Sequence, residues 1–169
     1  VIFLGFTGVL AKIVLRIVPP LPPVAQPETE ARYLDAMYLD QPSMALERVR
    51  LELERVGNKV NAMVRDSFPT LVVGTQERID ALVQRDNEVD SLTDAVTLYL
   101  RELSTRDLVD PQPERLQVYL GVTSYLENIA DIIETGVAAD SRKRLDKDLD
   151  FTEETEDYIK DIYKELYQA

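Results

Sequence analysis

Residues 76–105 read QERIDALVQRDNEVDSLTDAVTLYLRELST, and this stretch decides the fold. Ile79, Leu82, Val83, Val89, Val96, Leu100 and Leu103 recur at spacings of three, four and seven, so at about 100° per residue they share one face of a helix. Asp86 projects into that face between Ile79 and Leu82, and Asp90 follows one turn later near Val83. A bare carboxylate facing a core costs several kcal/mol. Such a group is therefore protonated, hydrogen-bonded to a hydroxyl, paired with an arginine or bound to a metal ion.

The same periodicity extends in both directions. Upstream, Leu46, Val49, Leu53, Val56, Val60 and Met63 predict a first helix from near Pro42-Ser43 to Ser67, with Phe68-Pro69 ending it because proline cannot continue the ladder. Downstream, a Pro-bounded break at residues 110–113 leads to a third helix over 113–140. Its apolar positions are Leu116, Tyr119, Leu120, Val122, Leu126, Ile129, Ile133 and Val137. Residues 141–150 are dense in charge and read as a connector. A shorter fourth helix opens near Thr152, a fitting N-cap with Glu153 and Glu154 in its first turn. No alternating β pattern competes, so the expected fold is an all-α antiparallel bundle of three long helices and a shorter fourth, over residues 42–169.

The chain of 169 residues is 45% hydrophobic and 30% charged, with a net charge of −12. Such an acidic body is repelled by nucleic acid, which is excluded as a partner. Cysteine and histidine are both absent, which removes disulfides, thiol nucleophiles and imidazole catalysis. Any metal site is then built from oxygen, suiting hard ions such as magnesium, manganese or ferric iron, with zinc also open to carboxylates. The Glu-x-x-His ligands of di-iron bundle enzymes are missing, so an enzyme is not expected. Apolar stripes can also bury against other subunits, which leaves a homo-oligomer open.

The amino-terminal part differs in character. Residues 1–11 carry no charge, and Lys12 and Arg16 follow. This predicts, over residues 1–18, the end of a membrane-spanning helix with its positive flank on the cytoplasmic side, or else an amphipathic helix packed on the domain or a neighbouring subunit. Residues 19–27, PPLPPVAQP, form an extended spacer within a linker and lead-in over 19–41.

In the third helix Glu127 and Asp131 stand one turn apart on the shoulder of the apolar stripe. Acidic pairs at this spacing are common by chance, roughly five or six in a chain this rich in carboxylates, so position beside the core is what singles a pair out. Asp86 carries that distinction most strongly.

At these residues the sequence resembles the PhoU family. DNEVD at residues 86–90 and YLENIAD at residues 125–131 are similar to its E/D-x-x-x-D motifs on successive helices, with Asn128 and Ala130 where the family has arginine and glycine. Upstream, AKIVLRIVPP, ARYLD and QPSMALERVR resemble the junction between membrane domain and PhoU-like domain in bacterial sodium-dependent inorganic phosphate cotransporters. The resemblance implies a regulatory domain of a sodium/phosphate symporter at the bacterial inner membrane, lying on the cytoplasmic face and working on a transporter membrane domain of the same chain. It further implies that Asp86, Asp90, Glu127 and Asp131 bind metal, iron or zinc above all.

Overall fold

A computed structural model describes residues 28–168. The expected membrane helix over 1–18 and the proline spacer at 19–27 lie outside the described residues. A 3-10 turn, Ala36–Tyr38, precedes α1 (Pro42–Val72), α2 (Gln76–Leu103) and α3 (Gln112–Ile132). A π-helical segment, Ile133–Ala138, then runs straight into α4 (Ala139–Asp146), and α5 (Glu153–Gln168) closes the chain. There is no strand among the described residues. The three long helices pack on one another pairwise, their short connections making neighbours antiparallel, as expected for an all-α bundle.

Two apolar clusters fill the bundle. One gathers Leu46, Val49 and Leu53 of α1 with Val96, Leu100 and Leu103 of α2 and Leu116 of α3. The other joins Val56, Val60 and Met63 to Ile79, Leu82, Val89 and Leu92, and is closed by Ala130, Ile133 and Ala138. The side chains of α1 and α2 predicted to face inward do so. On α3 the outcome differs: Val122 and Ile129, expected in the core, are exposed. The core side of α3 keeps the predicted Leu116, with Tyr119, Leu120 and Leu126 packed against the core, and adds the buried Thr123 and Ala130, so only the Val122 and Ile129 edge of the predicted stripe turns outward.

The lead-in is tied to α1 by a buried acid. Glu52 is fully buried and accepts hydrogen bonds from the backbone N–H groups of Arg32 (2.8 Å) and Tyr33 (2.9 Å), and from Arg55 (2.7 Å). Lys59 bridges Glu28 (2.9 Å) and Glu88 of α2 (2.7 Å). Its ammonium and the Arg55 guanidinium hold the Glu28 carboxyl down to about 2. The Glu52 carboxylate thus takes three donors from its own chain, which fixes the direction of the chain into the bundle.

Helix ends depart from expectation in two places. α1 does not stop at Ser67 but continues through Pro69 to Val72. Proline has no N–H, so the bond it would give to the Arg65 carbonyl is missing. The hydroxyl of Tyr163 on α5 donates to that carbonyl at 2.8 Å, and the Tyr163 ring stacks on Phe68 with centroids 4.9 Å apart. A tertiary donor thus replaces the lost backbone one. The presumed connector over 141–150 is likewise helical as far as Asp146. Ser141 is buried and donates to the Thr70 carbonyl at 3.1 Å, while Arg144 donates to the Leu71 carbonyl and lies over the Phe151 ring, so helix persists where charge alone suggested a loop. Gly74 is required at this junction, since a Cβ there would meet the Thr70 carbonyl oxygen at 2.8 Å. Thr152 caps α5 as predicted.

The expectation of an inner-membrane protein is corrected. Among the described residues no helix is long and apolar enough to cross a membrane. Tyr163→Phe removes the hydrogen bond that substitutes for the one lost at Pro69. Chemical denaturation is expected to show a loss of about 0.5–1.5 kcal/mol for this variant; unchanged stability would mean the contact contributes only through ring stacking.

Candidate metal centre

Asp86 and Asp90 stand one turn apart on α2, on the side that meets α3. Asp86 is held between Leu82 and Val89, both buried, and is itself only 6% exposed. Asp90 is half-buried, and Asp131 comes across from the last turn of α3 at the solvent edge. One carboxylate oxygen from each of Asp86, Asp90 and Asp131 lies within 4.8 Å of the other two. Three of the four predicted site residues therefore converge. Glu127 does not join them: it lies exposed one turn back along α3, near enough to Asp131 and Asp90 for their charges to reach it.

The electrostatics follow from burial and like charge. Burial raises the Asp86 carboxyl to about 6, and the neighbouring charges of Asp90, Glu134 and Asp131 push in the same direction. Asp90 is raised by burial and then by Asp131, Asp94 and Glu134, and Glu127 by burial and then by Asp131, Asp90 and Asp94. Two participants were not singled out in the sequence. Asp94 continues the ladder one turn beyond Asp90, and Glu134 follows Asp131 by three positions, inside the π-helical segment. Extending the four-residue spacing along α2 would have found Asp94. Glu134 needed knowledge of the π turn.

The donor set suits a hard cation. Among the described residues none of Asp86, Asp90 and Asp131 forms an ion pair. Arg85, next in sequence, pairs with Asp66 of α1, and Lys59 is engaged by Glu28 and Glu88. Asp86 Oδ1 is buried and has no hydrogen-bond partner, so neither the arginine nor the hydroxyl alternative is realised. A buried orphan oxygen beside two more carboxylates is the environment that a bound cation would neutralise and satisfy at once. In its absence a proton serves. Because the folded-state value of Asp86 lies above its usual 3.8, the folded protein holds the extra proton between those limits. Stability from this group is thus complete at low pH and is lost as pH rises through about 6. Unfolding of the metal-free protein, followed from about pH 5 to pH 7, is expected to show declining stability that Asp86→Asn flattens.

Residues 53–137, just over half of the chain, match the PhoU domain model. Over 161 residues the chain is 25% identical to a Salmonella typhimurium protein named for inorganic phosphate export, covering 95% of this chain and 29% of that protein. Over 80 residues it is 31% identical to a Clostridium acetobutylicum protein named as a phosphate-specific transport system accessory protein, PhoU homolog, covering 47% of this chain and 36% of that one. The chain thus matches about a third of the length of each of these relatives. No solved structure matches it. The matched region spans both carboxylate-bearing helices, and this chain belongs to the PhoU domain family.

Proposed function

We propose that this chain is a regulatory domain of inorganic phosphate transport, and that it works through a cation held by Asp86, Asp90 and Asp131, with Glu127 in an outer position. The observation that carries the reading is the buried Oδ1 of Asp86, without a hydrogen-bond partner, on a side chain that offers one oxygen within 4.8 Å of those of two further carboxylates. The phosphate context comes from the family and from the names of the two relatives. Magnesium, manganese, iron and zinc all accept oxygen ligands, and a three-carboxylate site with an open side suits each of them. The role is accessory rather than catalytic, and the unit that carries it is the bundle over residues 42–169. The system acted upon is a sodium-coupled phosphate symporter. Cation binding offsets two or three of the negative charges clustered between α2 and α3, which changes how closely those helices approach and so which docked arrangement is favoured.

The test is elemental analysis of the purified chain together with thermal melts with and without a chelator. At roughly 100-fold excess over Kd, a cation that binds only the folded state is expected to add about 2–3 kcal/mol, and Asp86→Asn to lose both the bound metal and the chelator-sensitive part of the melt. Phosphate uptake by cells carrying the variant is expected to lose its normal response to external phosphate. A metal-free preparation, combined with a higher melting temperature for Asp86→Leu, would reduce the carboxylate to an unfavourable core residue.

A further inference from the structure

Asp131 fixes the register between α2 and α3. One of its oxygens lies within 4.8 Å of oxygens from both Asp86 and Asp90, so it stands level with the interval between them. The two helices are antiparallel, so a step forward along α3 is a step back along α2. At 1.5 Å per residue, Glu134 lies about 4.5 Å further along the axis, toward Asp86, and Glu127 lies about 6 Å the other way, toward Asp94. Both keep to the side of α3 that carries Asp131, being three and four residues from it. By register the buried Asp86 therefore has Glu134 across from it, and Glu127 falls opposite Asp90 and Asp94. The charges felt at each acid agree: after burial, Asp86 is raised by Asp90, Glu134 and Asp131, and Glu127 by Asp131, Asp90 and Asp94.

Local structure holds Glu134 to that side. It is half-buried, whereas Glu127 is exposed, and it follows the buried Ile133 inside the π-helical segment. Ile133 and Ala138 are both buried although five residues apart; α-helical spacing would set them about 140° apart, and the wider i to i+5 turn brings them to one side. Thr135 donates its hydroxyl to the Asp131 carbonyl at 2.6 Å, which ties the turn carrying Glu134 to the turn carrying Asp131. Among the described residues the Glu134 side chain forms no hydrogen bond and no ion pair. Its carboxylate is thus uncommitted, beside a buried acid whose Oδ1 has no partner. Hard cations gather about six oxygens or more, and three carboxylates leave positions to fill. We infer that Glu134, rather than Glu127, is the fourth carboxylate ligand of a cation held by Asp86, Asp90 and Asp131. This rests on the cation reading given above, and it departs from the ligand set that the motif resemblance implies.

Titration calorimetry with Mn2+ separates the two glutamates. Glu134→Gln is expected to weaken binding roughly 10- to 100-fold, the scale on which metal sites respond to a lost partner. Glu127→Gln removes the same charge from the same cluster and is expected to cost less than about threefold, since salt screens a charge that does not touch the ion. Water-proton relaxation at saturating Mn2+ supplies a readout that charge alone does not move: in Glu134→Gln a water takes the vacated position and relaxation per bound ion rises, while Glu127→Gln matches the wild type. Glu134→Ala serves as a second variant with the same expected losses, and both changes at Glu134 are expected to leave the metal-free melting temperature unchanged or raised, because a like charge is gone. Equal losses for the two glutamine variants, or unchanged relaxation in Glu134→Gln, overturn the assignment of Glu134 and leave the cation site standing. A wild-type chain that binds no Mn2+ overturns both.

Discussion

Among the described residues two carboxylates are buried, and the difference between them governs how the bundle is built and what it can bind. Glu52 is enclosed by donors from its own chain: two backbone N–H groups and a guanidinium use its lone pairs, and the strap from Glu28 to Tyr33 is fixed in return. Asp86 is enclosed by leucine and valine, with one oxygen left without a donor and with acids rather than bases for neighbours. Leaving a buried acceptor unmatched costs about 1–3 kcal/mol and more when it is charged. The first acid is completed from within the fold, whereas the second takes a proton or needs a positive group from outside.

The helices were legible in the sequence because their apolar spacing is strong over many turns, and Asp86 was legible because it interrupts one of those stripes. What resisted reading were features decided by partners distant in sequence. Pro69 is tolerated because Tyr163, nearly a hundred residues later, supplies a donor to the Arg65 carbonyl. The charged run after Ser141 stays helical because Ser141 and Arg144 reach the carbonyls of Thr70 and Leu71. Val122 and Ile129 were assigned to the core because they are apolar and suitably spaced, yet a helix with two apolar faces can turn only one of them inward. Glu52 is hidden in the sequence for the opposite reason: it borders the α1 stripe, and only the fold shows the strap that buries it.

The site itself divides along the same line. Asp86 and Asp90 belong to one helix, so spacing alone places them together. Asp131 joins them because α3 lies beside α2 in the right register, which no local pattern specifies. Glu127 and Asp131 are equivalent by spacing, and it is the register that separates a member of the triad from a neighbour one turn away. The burial of Asp86 accounts for why one acid of these two helices is chemically distinct from the rest.

The docking of α5 has a consequence for how the molecule opens. Tyr163 closes the gap that Pro69 leaves in α1, so detachment of α5 loosens the final turn of α1, the turn whose Thr70 and Leu71 carbonyls also hold α4. Pieces tied through the same final turn are expected to open together and before the helical midsections. Native-state hydrogen exchange in α5, α4 and the end of α1 would then proceed as a single sub-global event, with the amides around Leu53 and Leu100 released only on complete unfolding.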